Sequence, residues 1–274
     1  MLKIAQQTIH SSNGAAVATE VLARLQLGDT VLSPPRFMAG KSMASWFALD
    51  IEVLRMLQAS TAQLHSPLLV FMNISAATLD IRTFFSLFQS KLMALDPEVR
   101  NRLVIEIPES SDMRGAELVR RLRAIKSTGA KVAIDDFGQE HANQERLEAF
   151  DWDFCKIDLP AIQTTENLNW VDAAIRHCYA NKTHLIMEKV ESSKDIDHLL
   201  HPIRNTAWFQ GYCFSRPEVV GPTHALVGLE QSRETLGCWR GADAKMILPA
   251  RTAGHGGQSS SYGPYGLAGA PFGR

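Results

Sequence analysis

Short β-rich runs alternate with helical patterns along most of the chain, and this alternation limits the fold more than any other feature. The predicted strands are Val17–Leu22, Leu68–Asn73, Leu103–Ile107, Val132–Asp135, Phe154–Asp158, Leu185–Glu188 and Trp208–Tyr212. The predicted helices are Met43–Gln58, Ala77–Leu95, Ser111–Ser127, Gln144–Phe150, Leu168–Asn181 and Ser193–Leu200. Such an alternation is typical of βα units built around a parallel sheet. It indicates a closed barrel or a doubly wound sheet, and periodicity alone does not choose between them.

The helix predicted at Ser111–Ser127 has the clearest pattern. Leu118, Leu122 and Ile125 form one apolar stripe at helical spacing. Ser111 is expected to cap the N-terminus, and Gly129 is expected to stop the helix before the next strand. Together these signals predict one helix that leads directly into a strand.

The composition changes sharply once, after Leu248. The segment from Pro249 to Arg274 is rich in Gly, Ser and Pro and lacks a periodic apolar pattern. Such a composition is typical of a disordered terminus. We therefore expect a folded domain with a C-terminal extension over residues 1–248 and a disordered tail over residues 249–274.

Charge and hydropathy exclude some classes of partner. The formal net charge of −1 gives no basic surface of the kind that binds duplex nucleic acid, although a nucleotide-sized ligand stays compatible. No apolar run approaches the roughly 20 residues that span a bilayer, so we expect no membrane span and a cytoplasmic location. The cysteines are widely spaced, without a Cys-x-x-Cys pair, which predicts reduced thiols rather than a zinc ribbon or a disulfide framework.

Polar residues fall at or near the ends of the predicted strands. Glu20 lies within the first strand, and the later strand ends carry Asn73, Glu106, Asp135, Lys156, Glu188 and Gln210. In a barrel, the carboxyl ends of the strands converge on one face, where active sites are built. Buried charges are costly unless they are paired or bind a metal ion. The pattern therefore predicts one polar pocket.

The same residues suggest the chemistry of that pocket. Hard divalent ions such as Mg²⁺ and Mn²⁺ prefer carboxylate, amide and water oxygens. The adjacent pair Asp135-Asp136 offers a way to hold two ions, since one carboxylate can bridge ions ~3.5–4 Å apart. Two such ions stabilise the attacking and leaving oxygens in phosphodiester hydrolysis. The other interpretation of the Asp-Asp pair is a turn or a helix cap.

Seven short segments resemble, in order and spacing, the motifs of one protein family. They are Glu20-Val-Leu-Ala-Arg24, Phe71-Met-Asn-Ile-Ser75, Glu106-Ile-Pro-Glu109, Asp135-Asp-Phe-Gly138, Lys156-Ile-Asp158, Glu188-Lys-Val-Glu191 and Gln210-Gly-Tyr-Cys-Phe-Ser-Arg-Pro217. The family is that of the EAL cyclic-di-GMP phosphodiesterases, named after a Glu-Ala-Leu motif that the first segment is similar to. The similarity spans about Gln6 to Val220.

The resemblance implies a TIM-like (β/α)8 barrel within residues 1–248, which cleaves cyclic di-GMP to linear pGpG with Mg²⁺ or Mn²⁺. It assigns one metal ion to Glu20, Asn73, Glu106 and Asp135, and a second ion or its waters to Asp135, Asp136 and Glu188. It assigns catalysis to Lys156 and Glu188. Lys156 would act on the attacking water, and a salt bridge to Asp136 is the structural alternative. It assigns substrate binding to Gln7, Arg24, Asp158 and Gln210, and support of the neighbouring loop to Glu109 and Glu191.

The chain departs from the family pattern at three places. Gln139-Glu-His-Ala-Asn143 stands where the family usually has Thr-Gly-Tyr-Ser-Ser, a loop linked to metal placement and dimer formation. Lys189 stands where the family usually has glycine, beside the predicted ligand Glu188. Its ammonium group would either weaken metal binding by charge repulsion or contact a phosphate. Thr8 replaces a proline, which is a milder change.

Two classes of function stay open at this point. A working or slow cyclic di-GMP phosphodiesterase is favoured because the predicted ligands and the lysine are all retained. A non-catalytic EAL module that binds cyclic di-GMP or a protein partner is favoured by the altered loop, and a homodimer also stays open. An enzyme that acts on another phosphodiester is a more distant alternative.

Overall fold

The computed structural model describes residues 1–60, 66–139, 142–164, 168–197 and 201–220. The predicted tail at 249–274 and the predicted C-terminal extension from residue 221 onward lie outside the described residues. The boundary between the domain and the tail therefore stays a prediction.

The strands of the described part are β1 (Leu2–His10), β2 (Ala16–Leu27), β3 (Thr30–Leu32), β4 (Leu69–Asn73), β5 (Leu103–Ile107), β6 (Lys131–Phe137), β7 (Phe154–Asp158), β8 (His184–Glu188), β9 (Trp208–Phe209) and β10 (Glu218–Val220). The helices are α1 (Pro34–Phe37), α2 (Met43–Ala59), α3 (Ala76–Asp80), α4 (Arg82–Met93), α5 (Pro97–Arg102), α6 (Gly115–Lys126), α7 (Gln144–Glu148), α8 (Leu159–Thr164), α9 (Asn169–Asn181), α10 (Ser193–Asp197) and α11 (His201–Thr206).

The strands form a closed barrel, which confirms the TIM-like architecture and excludes the doubly wound sheet. The order around the barrel is β1-β9-β8-β7-β6-β5-β4-β2, and pairing of β1 with β2 closes it. The seven strands β9, β8, β7, β6, β5, β4 and β2 run parallel to one another, whereas β1 is antiparallel to both of its barrel neighbours, β2 and β9. β3 and β10 extend the sheet beside β2 and β1.

Apolar side chains fill the inside of the barrel and the space between strands and helices. The inner cluster takes one residue from each of seven strands: Ile9, Ala18, Phe71, Val104, Ala133, Phe154 and Ile186. A larger cluster joins the opposite faces of the strands to the helices. Because side chains alternate along a strand, both faces of these strands are buried, as expected for a sheet covered by helices.

The sequence pattern does not predict β1, β3 or β10, and it predicts only the N-terminal half of β2. β1 carries Gln7, Thr8 and His10, whose polar side chains are buried inside the structure. Its sequence therefore lacks the apolar alternation by which strands are recognised. β9 ends at Phe209 rather than Tyr212, and the residues that follow form turns.

Two predicted helices differ from the structure by more than a shift of one or two residues at an end. The pattern over Ala77–Leu95 predicts one helix, but the extended backbone of Ile81 separates α3 from α4. α6 begins at Gly115, because the Ser111 hydroxyl donates to Asp80 Oδ1 at 2.6 Å instead of capping the helix. The apolar stripe predicted for α6 is buried, as expected.

The described cysteines differ from one another. Cys155 and Cys178 are free and buried, in agreement with the expectation of reduced thiols. Cys213 is disulfide-bonded, so the expectation is wrong for this residue. Burial raises the pKa of the Cys155 thiol well above its usual range, which keeps it protonated and unreactive.

A buried carboxylate connects α2 to the segment that follows β4. Asp50 Oδ2 accepts hydrogen bonds from the Ser75 amide at 2.8 Å, the Ser75 hydroxyl at 2.6 Å and the Thr78 hydroxyl at 2.5 Å. Burial raises the pKa of Asp50 to about 6, in opposition to these hydrogen bonds, which lower it. Between the ordinary aspartate pKa and pH 6, the folded state therefore binds more protons here than the unfolded state.

This shift predicts how stability depends on pH. The contribution of the Asp50 proton is fully present below about pH 4 and is lost as the pH rises through about 6. We expect Asp50→Asn, which keeps one acceptor oxygen without a charge, to gain about 2 to 3 kcal/mol relative to the wild type between pH 4 and pH 7. Urea unfolding of both proteins across this range measures the difference. Asp29→Asn, at an exposed turn, is the control, and a pH-independent difference for Asp50→Asn would contradict the assignment.

Candidate metal centre

The structure brings the predicted polar residues together around one cavity of about 440 Å³ at the carboxyl ends of the strands. The predicted residues that line it are Gln7, Glu20, Arg24, Asp135, Asp136, Lys156, Glu188, Glu191 and Gln210. Asn73 and Glu109 line an adjoining cavity of about 650 Å³, which shares Glu20, Asp135 and Asp136 with the first. Glu106 and Asp158 are buried and contact residues of the lining.

Side-chain alternation explains why these residues point into the barrel. Six of them follow an inner apolar residue of the same strand by two positions: Glu20 after Ala18, Asn73 after Phe71, Glu106 after Val104, Asp135 after Ala133, Lys156 after Phe154, and Glu188 after Ile186. Residues two apart on a strand share a face. The polar residues therefore form a layer directly above the apolar interior of the barrel.

A β-bulge presents Asp135 and Asp136 side by side. Along β6 and β7, Ile134 is opposite Cys155 and Phe137 is opposite Ile157, so β6 contains one extra residue here. Asp136 has a positive φ of 44°, which departs from strand geometry. A bulge re-aims side chains that would otherwise alternate between the two faces. Both carboxylates consequently line the cavity, and the pair is neither a helix cap nor a simple turn.

Lys156 is the centre of the charged cluster. Its Nζ lies 3.0 Å from Asp135 Oδ1 and 2.9 Å from Glu188 Oε1. It also contacts Glu106 Oε1, and it lies 3.9 Å from Glu20 Oε2. The side chain is only 1% exposed. Lys156 thus forms its ion pairs with these four carboxylates. Within the described residues, it does not form the salt bridge to Asp136 that the sequence left open as the alternative to a catalytic role.

Two amide side chains hold Glu20. Asn73 Nδ2 donates to Glu20 Oε1 at 2.7 Å, and Gln210 Nε2 donates to Glu20 Oε2. Gln210 Nε2 also lies 3.3 Å from Gln7 Oε1, and Gln7 Nε2 donates to the Ser215 carbonyl at 2.9 Å. Each carboxylate oxygen of Glu20 is therefore oriented by a separate amide donor.

The carboxylates of the cluster carry more negative charge than Lys156 neutralises. Burial, followed by repulsion from Glu20, raises the pKa of Glu106 well above its usual range. Burial also raises the pKa of Glu188 to about 8. Burial alone would lower the pKa of Lys156, but attraction by the surrounding carboxylates outweighs it and raises that pKa. A buried excess of anionic oxygens is electrostatically suited to added positive charge.

The donor set also fits a hard divalent cation. The cluster offers carboxylate oxygens together with the amide of Asn73, the ligand types that Mg²⁺ and Mn²⁺ favour. Glu106 Oε2 is buried and has no hydrogen-bond partner among the residues that the structure describes, a state that native structures rarely leave uncompensated. Carboxylate oxygens of Glu109, Asp135 and Asp136 also lie within 4.8 Å of one another, close enough to share an ion. Sequence reasoning expects Glu109 only to support a loop, so its place beside the Asp pair adds a candidate ligand.

Lys189 and Gln139 line up beside the Asp136 and Asp158 carboxylates, although the family resemblance names neither as a catalytic, substrate-binding or metal-binding residue. Lys189 Nζ lies 2.8 Å from Asp158 Oδ2 and 3.4 Å from Asp136 Oδ1. Gln139 Nε2 donates to the same two oxygens at 2.8 and 3.4 Å. The only sequence feature that could have indicated their place in the site is that both positions differ from the family pattern. Glu140 and His141 of the altered loop lie outside the described residues.

Arg24 and Glu191 lie at the edge of the first cavity. Arg24 Nη1 donates to the Ala23 carbonyl at 2.9 Å, and the remaining nitrogens of its guanidinium group offer further donors. The Glu191 backbone amide donates to Asp195 Oδ2 at 2.9 Å, and its exposed side chain faces the cavity mouth.

A comparison with known families identifies this arrangement. The EAL domain family model matches residues 1–217. The chain belongs to the EAL domain family. In Escherichia coli K12, "Probable cyclic di-GMP phosphodiesterase PdeN" is 30% identical over 149 residues, covering 53% of this chain and 28% of that protein. "Cyclic di-GMP phosphodiesterase PdeL" is 24% identical over 233 residues, covering 77% of this chain and 61% of that protein. This EAL chain spans less than two thirds of the length of either relative.

Solved EAL structures share the fold of this EAL protein. The Bacillus subtilis YkuI protein, in complex with cyclic di-GMP and calcium, superposes with a TM-score of 0.67 at 22% identity, covering 88% of this chain and 62% of that chain. Klebsiella pneumoniae BlrP1, in a manganese and cyclic di-GMP complex at pH 6, has a TM-score of 0.65 at 24% identity, covering 80% of this chain and 56% of that chain. Both likenesses support the EAL barrel fold. Among the described helices, none has the length and apolar character needed to cross a membrane.

The charge of Lys156 gives a prediction for this EAL protein without metal ions. We expect Lys156→Met to lower the free energy of unfolding by about 3 to 5 kcal/mol at pH 8, because it leaves buried carboxylates without their cation. Excess Mn²⁺ should then stabilise the variant more than the wild type. Thermal or urea unfolding with EDTA and with Mn²⁺ measures both effects.

Lys126→Met is the matched control, because Lys126 forms a partly exposed ion pair with Asp153 at 3.0 Å. We expect that substitution to change stability by only about 0 to 1 kcal/mol, with no response to Mn²⁺. Equal stability of Lys156→Met and the wild type in EDTA would show that charge pairing does not hold the cluster together.

Proposed function

We propose that this EAL protein is a metal-dependent phosphodiesterase that hydrolyses cyclic di-GMP to linear pGpG. The observation that carries the proposal is the buried layer of carboxylates around Lys156 at the mouth of the barrel. The names of its relatives support the substrate, since two Escherichia coli relatives are named as cyclic di-GMP phosphodiesterases or probable ones. Incubation of the purified protein with cyclic di-GMP and Mg²⁺ or Mn²⁺, followed by analysis for pGpG, tests it.

The cluster supplies ligands for two divalent ions, Mg²⁺ or Mn²⁺. Under the proposal, one ion is held by Glu20, Asn73, Glu106 and Asp135, and a second ion or its waters by Asp135, Asp136 and Glu188. Glu109 is an additional candidate beside Asp135 and Asp136. Bound ions of this type acidify water and neutralise the charge that develops on a phosphodiester during displacement.

The protein's own side chains then bind and orient the reactants. We assign Arg24 to the phosphate, because a guanidinium group offers paired donors to phosphate oxygens. Gln7 and Gln210 keep Glu20 in position through the contacts between their side chains. An ammonium group donates hydrogen bonds and has no lone pair, so we assign Lys156 to orienting the attacking water, beside Glu188 at 2.9 Å. Asp158 and Glu191 complete the proposed substrate and loop contacts.

Glu20→Ala tests the proposed metal ligand. We expect it to reduce turnover by about 10²-fold or more, because it removes an anionic ligand and frees both amides that orient it. Circular dichroism should show an unchanged fold, since the side chain belongs to the polar layer rather than to the apolar core. Glu98→Ala, at an exposed position on α5, is the control. Wild-type turnover by the Glu20→Ala variant would place the active site elsewhere.

A non-catalytic receptor for cyclic di-GMP, or a module that regulates a protein partner, is the second candidate function. The contacts of Lys189 and Gln139 with Asp136 and Asp158 favour it, because they occupy oxygens that a working site would offer to cations or substrate. Binding of cyclic di-GMP without formation of pGpG would support the receptor. The absence of binding would support a role with a protein partner or as a homodimer.

The altered loop gives a prediction that separates these functions. We expect replacement of residues 139–143 by Thr-Gly-Tyr-Ser-Ser to raise kcat more than nucleotide affinity, since it removes the Gln139 amide that holds Asp136 and Asp158. A misplacement of order 1 Å in a catalytic site costs ~10²-fold in rate, so the gain should reach about tenfold or more. Steady-state kinetics at several Mn²⁺ concentrations, with Gln139→Thr as a single-site comparison, measures it. A replaced loop that binds cyclic di-GMP and stays inert at saturating Mn²⁺ would exclude the loop as the limiting defect.

A further inference from the structure

Lys189 and Gln139 cover the same pair of carboxylate oxygens from two different loops. Each places a nitrogen 2.8 Å from Asp158 Oδ2 and 3.4 Å from Asp136 Oδ1. One of these donors carries a full positive charge. The two carboxylates are therefore bridged in the structure by an ammonium group that the chain itself supplies.

The backbone of Lys189 departs from the conformations that side-chain-bearing residues prefer. Its φ is 56°, in the left-handed region that residues other than glycine rarely adopt. The neighbouring Val190 is fixed on both sides, since its amide donates to the Gln210 carbonyl at 3.0 Å and its carbonyl accepts from the Cys213 amide at 3.0 Å. A strained residue held in place by its surroundings is a reason to look for a role of its side chain.

The Lys189 side chain lies at the mouth of the cavity rather than beneath it. It is 52% exposed and lines the cavity, whereas the Lys156 side chain is 1% exposed. Solvent can therefore hydrate the Lys189 ammonium group when it leaves the carboxylates. Lys156 cannot leave its carboxylates in the same way, because its buried charge would then have no compensating partner.

We infer that Lys189 is a tethered cation that competes with a divalent ion for Asp136. A divalent ion that reaches Asp136 either displaces the ammonium group from Oδ1 or binds with a like charge held beside it, and both arrangements lower its affinity. Among the described contacts, Lys189 makes none with Glu20, Asn73 or Glu106. The site therefore fills in two unequal steps, with the step that involves Asp136 as the weaker one. The inference rests on the proposed function only for the ligands of the two ions.

Titration with Mn²⁺ tests the inference without any turnover. Calorimetry, or the electron paramagnetic resonance signal of free Mn²⁺, gives the dissociation constants of the wild type, Lys189→Met and Lys189→Arg. Methionine keeps an unbranched side chain and the same backbone constraint, so the comparison isolates the charge. We expect Lys189→Met to tighten the weaker Mn²⁺ step on the order of tenfold and to leave the tighter step unchanged. Lys189→Arg should keep the weak step.

Lys131→Met is the control for loss of one positive charge, because Lys131 begins β6 at the opposite end of the barrel and donates to the Asn101 carbonyl at 3.2 Å. Identical titrations of the wild type and Lys189→Met would overturn the inference, as would failure of both to bind Mn²⁺. Weaker binding by Lys189→Met would show instead that Lys189 positions the ligands, and would overturn it too. Tighter binding without any pGpG leaves the inference intact and refutes the proposed hydrolysis. Formation of pGpG with unchanged titrations would support the proposed hydrolysis and overturn the inference about Lys189.

Discussion

The contact of Lys156 with buried carboxylates is the interaction on which the rest of the site depends. A lysine at 1% exposure is tolerated only because four carboxylates approach it, and those carboxylates are tolerated together only because the lysine is present. Lys156 neutralises only part of the negative charge, since one ammonium group cannot neutralise four carboxylates. Glu106 and Glu188 respond with raised pKa values, caused first by burial. The fold thus maintains a region of excess negative charge that only added cations or protons relieve.

The strand register of the barrel makes this concentration of charge unavoidable. Gln7 is opposite Glu20 across β1 and β2, Asn73 is beside Glu106 across β4 and β5, and Asp158 is beside Glu188 across β7 and β8. Side chains from neighbouring strands at one level of a barrel share its interior. The antiparallel β1 closes the ring and brings the amide of Gln7 to the same level.

The sequence predicts the parts of this structure that follow the regular alternation of strands and side chains, and it misses the parts that depart from that alternation. Alternation along each strand explains why Asn73, Glu106 and Lys156 could be placed at one end of the barrel from their positions alone. β1 escaped prediction because its buried Gln7 and Thr8 remove the apolar pattern that marks a strand. The contacts of Lys189 with Asp136 and Asp158 also could not be predicted, because they depend on a positive φ and on a loop that lies next to β8 only in the folded chain.

One backbone contact positions both Gln210, which orients Glu20, and Lys189, which differs from the family pattern. Gly211 lies so close to Val190 that a Cβ atom would come within 2.1 Å of the Val190 carbonyl oxygen, so any other residue there would force the two segments apart. This close approach lets Val190 exchange backbone hydrogen bonds with Gln210 and Cys213. The same contact sends the Gln210 side chain to Glu20 and the Lys189 side chain to Asp136. The orientation of Glu20, a proposed metal ligand, and the placement of the Lys189 ammonium group are therefore coupled through one glycine.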